Sequence, residues 1–282
     1  MDLERRLLVV NADDFGLTEG VSRAIIEASR SGIVTSTSII ALTPAFEASM
    51  RMLGDAPGLG CGVHFAAVGE DPPLLSAAEV PTLVDRKGRL ASSWRVLLPR
   101  VAAGRVDPDD LRREFEAQYD AIASHGVTID HLDTHQNVHL WPSIGDIVLD
   151  IGERHGVNAV RVTRSTDRGV VGTTVRRLAR RFESTLRTRG WRCPDASTGL
   201  DEAGHLDLGA MVGALDRLSA AAARSAELAT HPGPHEDPAR ARYEWKYAWG
   251  AEFDALCSPV VRTAVESLGF ELGTFAELGA MR

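Results

Sequence analysis

Val9-Val10-Asn11-Ala12-Asp13-Asp14-Phe15-Gly16 begins as a buried strand and ends as a charged cluster. The apolar run that leads into it, Leu7-Leu8-Val9-Val10, has the length and branching of a buried β-strand. Thr18 caps what reads as a helix through about Ser31. A strand that delivers two carboxylates at its C-terminal end, just before a helix, stands where α/β proteins place their chemistry. Adjacent acids repel, so Asp13 and Asp14 together call for a cation or a shared proton. One can bind a metal while the other takes a proton from water. The alternative is a polar turn in which Asp14 caps the helix and Asp13 is solvated.

Outward from this point the chain alternates strands and helices. Val21, Ala24, Ile25 and Ala28 recur at helical spacing, and Gly32 is the expected stop. Ile33–Ala41 is rich in β-branched residues and reads as a second strand. Pro44 opens a helix to about Leu53. Leu59–Val68 holds a third strand, with His64 late in it and glycines beside it that suggest close backbone packing. A lone histidine there is commonly a hydrogen-bonded core residue, but strand order puts it near the same edge as Asp13 and Asp14. This βαβαβ order implies parallel strands. From Ala66 to about Ser93 periodicity fades. So long a connection reads as a lid or substrate-selecting loop, or as a plain insertion. Trp94–Ala103 is a short helix. Asp107-Pro108 starts another that runs to about His125, with Leu111, Phe115, Gln118, Tyr119 and Ile122 as its core stripe.

The second chemical stretch runs from Thr128 to Pro142 and contains His131, Asp133, His135 and His139 after a strand-like Val127–Leu132. Alternation points His131, Asp133 and His135 the same way. Imidazole is the commonest metal ligand, and neighbouring carboxylates orient it. Spacing alone does not set which of His131, His135 and His139 binds metal. Trp141-Pro142 suggests that the next helix, Ile144–His155, starts only after them. Ala159-Val160-Arg161-Val162 reads as a fifth strand. An arginine in a sheet interior needs an acidic partner, so Arg161 would hold Asp13 if it reaches the strand ends; an exposed edge position is the alternative. Arg164–Arg192 is strongly basic and reads as a solvated helix face or, more sharply, as a patch for an anionic or lipid-linked substrate. Asp207 starts an alanine-rich helix ending near Ala223, suited to the core or to a subunit interface, so a homo-oligomer is compatible. Glu227–Thr230 is a strand that delivers His231, a candidate general acid. Tyr243, Trp245, Tyr247 and Trp249 alternate, as sugar-stacking or ordinary packing residues do. A last helix, Phe253–Leu268, and a strand, Phe270–Leu272, follow.

The 282 residues, 44% hydrophobic and 25% charged, suit one α/β barrel or doubly wound sheet over residues 1–282, with no visible linker. A net charge of -8 argues against nucleic acid and anionic lipid surfaces as partners. The 3 cysteines, Cys61, Cys193 and Cys257, form no CxxC pair, which excludes a cysteine-rich zinc site and fits a reducing, cytoplasmic location. The first apolar run is too short for a signal peptide, and no stretch is long enough to span a membrane.

With Asn11-Ala12-Asp13-Asp14-Phe15-Gly16, Gly62-Val63-His64-Phe65, His131-Leu132-Asp133-Thr134-His135 and His231-Pro232 in view, the chain resembles the YdjC-like carbohydrate deacetylases, over nearly its whole length. The group includes chitooligosaccharide and hopanoid-associated deacetylases. The resemblance implies an irregular (β/α) barrel related to polysaccharide deacetylases, with parallel strands and the catalytic groups at their C-terminal ends. It places metal ligands on Asp14, His64 and His135, the general base on Asp13, the general acid on His231, and on Arg161 an arginine that positions the base. It implies one divalent ion, usually described as magnesium, although two imidazoles and a carboxylate equally suit zinc. The implied substrate is an oligosaccharide, glycolipid or glycosylated metabolite bearing an N-acetyl amino sugar, hydrolysed to acetate and a free amine. Many members carry two histidines directly after position 135, where this chain has Gln136 and Asn137. Substrate choice is expected to lie in Ala66–Ser93 and the aromatic stretch. Competing readings are a metal-dependent hydrolase of another ester or phosphoester, and a non-catalytic sugar- or lipid-binding relative.

Overall fold

The computed structural model of the chain describes residues 6–279. Its elements run β1 (Arg6–Phe15), α1 (Glu19–Arg30), β2 (Ser36–Ile39), α2 (Phe46–Met52), β3 (Gly60–Phe65), α3 (Trp94–Ala102), α4 (Pro108–Ala123), β4 (Ile129–Thr134), α5 (Pro142–His155), α6 (Val170–Arg189), β5 (Ala196–Thr198), α7 (Leu208–Ala220), β6 (Ser225–Thr230), α8 (Trp249–Leu256), α9 (Pro259–Ser267) and β7 (Phe270–Leu272). The strands pair in parallel in the order β4-β3-β2-β1-β6-β5, with β7 also on β1. Single bridges, Leu132 to Val160 and Ala159 to Arg192, carry the pairing past β4 and curl the sheet toward a barrel. The expected strand at Ala159–Val162 is therefore only a pair of bridges, wedged between β4 and Arg192. Among the described residues, no helix is long and apolar enough to cross a membrane.

The two faces of β1 explain where the chemistry collects. Side chains alternate along a strand. Leu8, Val10 and Ala12 join the large apolar core, which includes Val21, Ile25 and Ala28 of α1. Leu7 and Val9 join Ala159 and Phe275 in a small separate cluster. The same face then continues as Asn11 and Asp13, both buried. This face is thus apolar at its start and polar at the C-terminal ends of the strands.

Local signals account for most element ends. Thr18 accepts a hydrogen bond from Val21 N, Asp107 from Asp109 N, and Asp207 from Ala210 N, each capping the helix that follows. Gly156 closes α5 at φ +77°. The stripe of α4 is buried as expected. The expected helix Phe253–Leu268 is two helices instead. Ser258 caps α9 and Pro259 occupies its first turn, where a missing N–H costs nothing. The alanine-rich α7 buries Met211, Ala214, Leu215 and Leu218 and packs against α8 and α9.

Candidate active site

Asp13 and Asp14 are neighbours in β1, so a regular strand would send them to opposite faces. The pairing of β1 with β2 slips here. Ala12 opposes Thr37, but Phe15 opposes Ile39, leaving one extra residue on β1. Asp14 sits in this bulge at φ +67°, a left-handed conformation that aspartate tolerates better than most residues. The bulge lets both carboxylates serve one cluster. Such local strain is found where a fold holds a functional group in place.

The two carboxylates have opposite surroundings. Arg161 clamps Asp13 with two bonds, Nη1 to Oδ2 at 2.7 Å and Nη2 to Oδ1 at 2.6 Å. Asn11 Nδ2 adds a third, at 2.8 Å. Among the described residues, neither oxygen of buried Asp14 has a hydrogen-bond partner. Its Oδ1 instead faces His64 Nε2 at 3.6 Å and His135 Nδ1 at 3.5 Å, all three residues being buried. These separations are longer than well-formed hydrogen bonds and leave room for a shared cation. A buried carboxylate without partners is costly, so this gap fits a metal ion. A second group, Asp13, His64 and Asp133, is equally close together. Its carboxylates are already bound, Asp13 as above and Asp133 by Arg161 at 2.8 Å, His64 at 2.6 Å and Ser38 at 2.8 Å. Unspent donor capacity therefore lies with Asp14, His64 and His135.

His64 and Asp133 oppose each other across β3 and β4. His64 Nδ1 donates to Asp133 Oδ1, which turns Nε2 toward Asp14. Burial pushes the His64 imidazole down, but Asp133, Asp13 and Asp14 outweigh it and raise the group to about 9. Burial likewise works to raise Asp14, but His135, His64 and His231 more than offset it, bringing the carboxyl down to about 2. Burial also opposes ionisation of Asp133, and Arg161 and His64 overcome it, holding that carboxyl far below the usual range.

Arg161 is 1% exposed and is the largest of the fully buried side chains. Beyond Asp13 and Asp133, its Nε donates to Glu227 Oε1 at 2.6 Å. Desolvation disfavours the buried guanidinium, yet Asp13, Asp133 and Glu227 hold its pKa well above the ordinary value. Burial raises Glu227, against the pull of Arg161. Three carboxylates, Asp13, Asp133 and Glu227, thus meet one guanidinium, and Asp14 adds a fourth carboxylate to the cluster beside His64 and His135, a surplus of acidic groups that a divalent cation would offset.

His231 follows β6 beside Asp13. Its Nε2 lies 3.7 Å from Asp13 Oδ2, while buried Nδ1 has no hydrogen-bond partner among the described residues. Glu252 fixes the turn by accepting from His231 N at 2.5 Å. Asp13, His64, His135, Arg161 and His231 all line one pocket of about 370 Å³, which Trp245 and Tyr247 also wall.

The other two histidines of the 131–139 stretch are structural. His131 and Asp133 both contact Ser38 Oγ, as alternation requires, but His131 stacks on Phe275 with ring centroids 3.9 Å apart and meets Asp130 at 2.6 Å. Its ring passes so close to Gly62 that a Cβ there would stand 2.3 Å from it, the packing reason for that glycine. His139 bonds Thr134 Oγ1 at 2.8 Å and the Arg161 carbonyl at 3.0 Å, and burial lowers it to about 4. Gln136 and Asn137, both at positive φ, tie down neighbouring loops. Trp94 N donates to Gln136 Oε1 at 2.9 Å, and Thr163 Oγ1 donates to Asn137 Oδ1. The 66–93 connection meets the aromatic stretch directly. Tyr243 bonds Asp71 at 2.8 Å and Trp245 bonds Glu70 at 2.9 Å. Tyr243 and Trp249 are buried, whereas Trp245 and Tyr247 face the pocket.

Sequence reasoning passed over Asn11, Ser38, Glu227 and Glu252. Glu227 was discoverable by the argument applied to Arg161, since it interrupts an apolar strand in the middle of a sheet and so needs a charged partner.

Comparison with known proteins shows the family. The family described as YdjC-like protein matches residues 7–267. A chitooligosaccharide deacetylase of Enterobacter sp. (strain 638) is 31% identical over 97% of this chain and 99% of its own. A carbohydrate deacetylase of Geobacillus stearothermophilus is 37% identical over 56% of this chain and 62% of its own length. A crystal structure from Enterococcus faecalis V583 superposes with a TM-score of 0.81 at 24% identity, covering 97% of this chain and 99% of that one, and supports the fold. By the match along almost all of its described strands and by full-length similarity, the chain belongs to the YdjC-like family.

Proposed function

We propose that this chain is a divalent-metal-dependent carbohydrate N-deacetylase, acting as one domain over residues 1–282. The observation that carries the reading is the partnerless carboxylate of Asp14 between His64 and His135, set beside an Asp13 clamped by Arg161. The names of the relatives in Enterobacter and Geobacillus support the sugar substrate and the amide-type reaction. Pairing of β1 with β6 and β7, from the far end of the chain, supports a single unit.

Asp14, His64 and His135 would hold the cation, and two imidazoles with one carboxylate favour zinc-like ions over magnesium, which prefers all-oxygen ligands. Bound there, such an ion supplies Lewis acidity to the acetamide carbonyl and to water. The protein's own residues do the rest. Arg161 and Asn11 hold Asp13 in one orientation, with Oδ2 toward His231, and Asp13 takes the proton as water adds to the carbonyl carbon. His231, across the pocket, gives a proton to the sugar nitrogen as the C–N bond breaks. Acetate and a free amino sugar leave. Trp245 and Tyr247 offer faces for the sugar ring.

Acetate release from N-acetylated glycosides, measured on chelated protein with zinc, cobalt, manganese or magnesium added back, tests the reading. Metal-dependent release is expected. No release with any metal shown to be bound would overturn it.

A further inference from the structure

A second cavity, a groove of about 720 Å³, opens beside the pocket just described. The two share Trp94, Arg95, Gln136, Asn137 and Leu200 along their border. α3 forms one wall, and the first turns of α6 form the other with Val170, Val171, Val175 and Leu178. No arginine of α6 is among the residues that line the groove; Arg176 binds the carbonyl of Ser165 at its rim at 3.1 Å, and Arg189 pairs with Asp150 at 2.7 Å and Glu153 at 2.8 Å. The charged groups at the groove are few. They are Arg95, which lies over the Trp94 ring at 4.5 Å, Asp201, which is spent on Ser165 at 2.6 Å and Thr166 at 2.6 Å, and Asp167 at the rim before α6. Val170 is 85% exposed and Val171 49% exposed. Large apolar side chains held open to water at the first turn of a helix, beside a polar reaction pocket, are a feature of ligand sites rather than of folding.

The geometry points to a subsite for an apolar aglycone. We infer that the α3–α6 groove takes a hydrocarbon chain attached to the amino sugar, so that the substrate is a lipid-like glycoside rather than an extended polar oligosaccharide. A longer sugar chain would need hydrogen-bonding partners along the groove, and its lining offers mainly aliphatic carbon. The inference rests on the deacetylase reading for the placement of the sugar, and on continuity of the two cavities for the placement of the chain. The wall is firm at their junction, because Gln136 ties α3 to the turn after β4 and Asn137 ties that turn to Thr163. Anchored loops of this kind preorganise a cavity.

Calorimetric titration separates the two proposals. Methyl and octyl N-acetylglucosaminides, the latter below its micellar concentration, and N,N′-diacetylchitobiose would be titrated into the wild-type protein and into Val171→Glu and Leu98→Glu. Burying a methylene is worth about a fourfold gain in affinity, so an octyl chain with only about half of its seven additional carbons buried in the groove binds on the order of 10²-fold more tightly than methyl. Both variants should bring the octyl-to-methyl ratio toward one. Equal affinity for the two glycosides, or an octyl preference untouched by both variants, would overturn the inference. So would chitobiose binding as tightly as the octyl glycoside and weakening alike in the variants, which would assign the groove to a second sugar. An octyl preference lost in the variants, without acetate release under any metal, would support the groove and refute the deacetylase reading.

Discussion

The two sides of the sheet mouth are built on opposite plans. On the β1, β3 and β4 side, strand register fixes polar groups. His64 opposes Asp133 across neighbouring strands, and Arg161 reaches three carboxylates at once. On the α3–α6 side, helix ends and tethered turns hold apolar side chains apart. The first side is largely bonded among itself, and its largest deficit among the described residues is at Asp14, where both carboxylate oxygens lack a hydrogen-bond partner. The second spends its polar bonds on tying loops down, at Gln136, Asn137 and Asp201, and leaves open space between the helices. A site whose reaction is fixed and whose substrate varies is expected to divide in this way, with rigid elements for chemistry and loops for choice.

The sharpest break in that contrast is at Asp14. Asp14→Asn should abolish metal binding and lower turnover by more than the roughly 10²–10⁴-fold typical of losing a general acid or base. Elemental analysis of the purified variant, alongside acetate release, checks both. Asp13→Asn and His231→Gln should each lose about 10²–10⁴-fold in kcat while retaining the metal. Near-normal turnover in either would remove that residue from its role.

Arg161→Met tests the self-bonded side as a stability element. It leaves Asp13, Asp133 and Glu227 buried without their cation, and loss of one partner of a buried pair costs about 3–5 kcal/mol. Urea unfolding would show a lower midpoint, and an unchanged midpoint would mean that the carboxylates find protons or water instead.

The smallest effect is expected at His139, bonded on both ring nitrogens and held neutral. Its value in the folded protein is about 4, below the ordinary 6.5. Above pH 6.5 it costs nothing. As pH falls through 6.5, the unfolded chain takes up a proton that the folded protein refuses, so stability declines down to about pH 4 and by about 3 kcal/mol in all. Unfolding curves across that window should fall less steeply for His139→Gln than for wild type.

The strand-based side was legible in the sequence, and the groove was not. Asp13, Asp14, His64 and His231 each stand at or near the end of an apolar strand, and parallel order brings such ends together. Arg161 could be paired with Asp13 from the cost of burying an arginine. Spacing failed to choose among His131, His135 and His139, because the choice depends on the turn at Gln136 and Asn137, whose left-handed backbone no periodicity announces. β5 was missed because its three residues are only half buried and carry no alternation. The break between α8 and α9 was marked by Ser258-Pro259, a start signal lost inside an apolar run. The basic stretch hid the groove, since the valines that line it sit within that stretch, just ahead of the arginines of the same helix.

The central claim is that Asp14, and not the saturated pair Asp13 and Asp133, meets the cation. Anomalous diffraction from crystals grown with zinc would test it directly. The account predicts a single peak bounded by Asp14, His64 and His135. A peak between Asp13 and Asp133, or a fully occupied zinc away from Asp14, would contradict it.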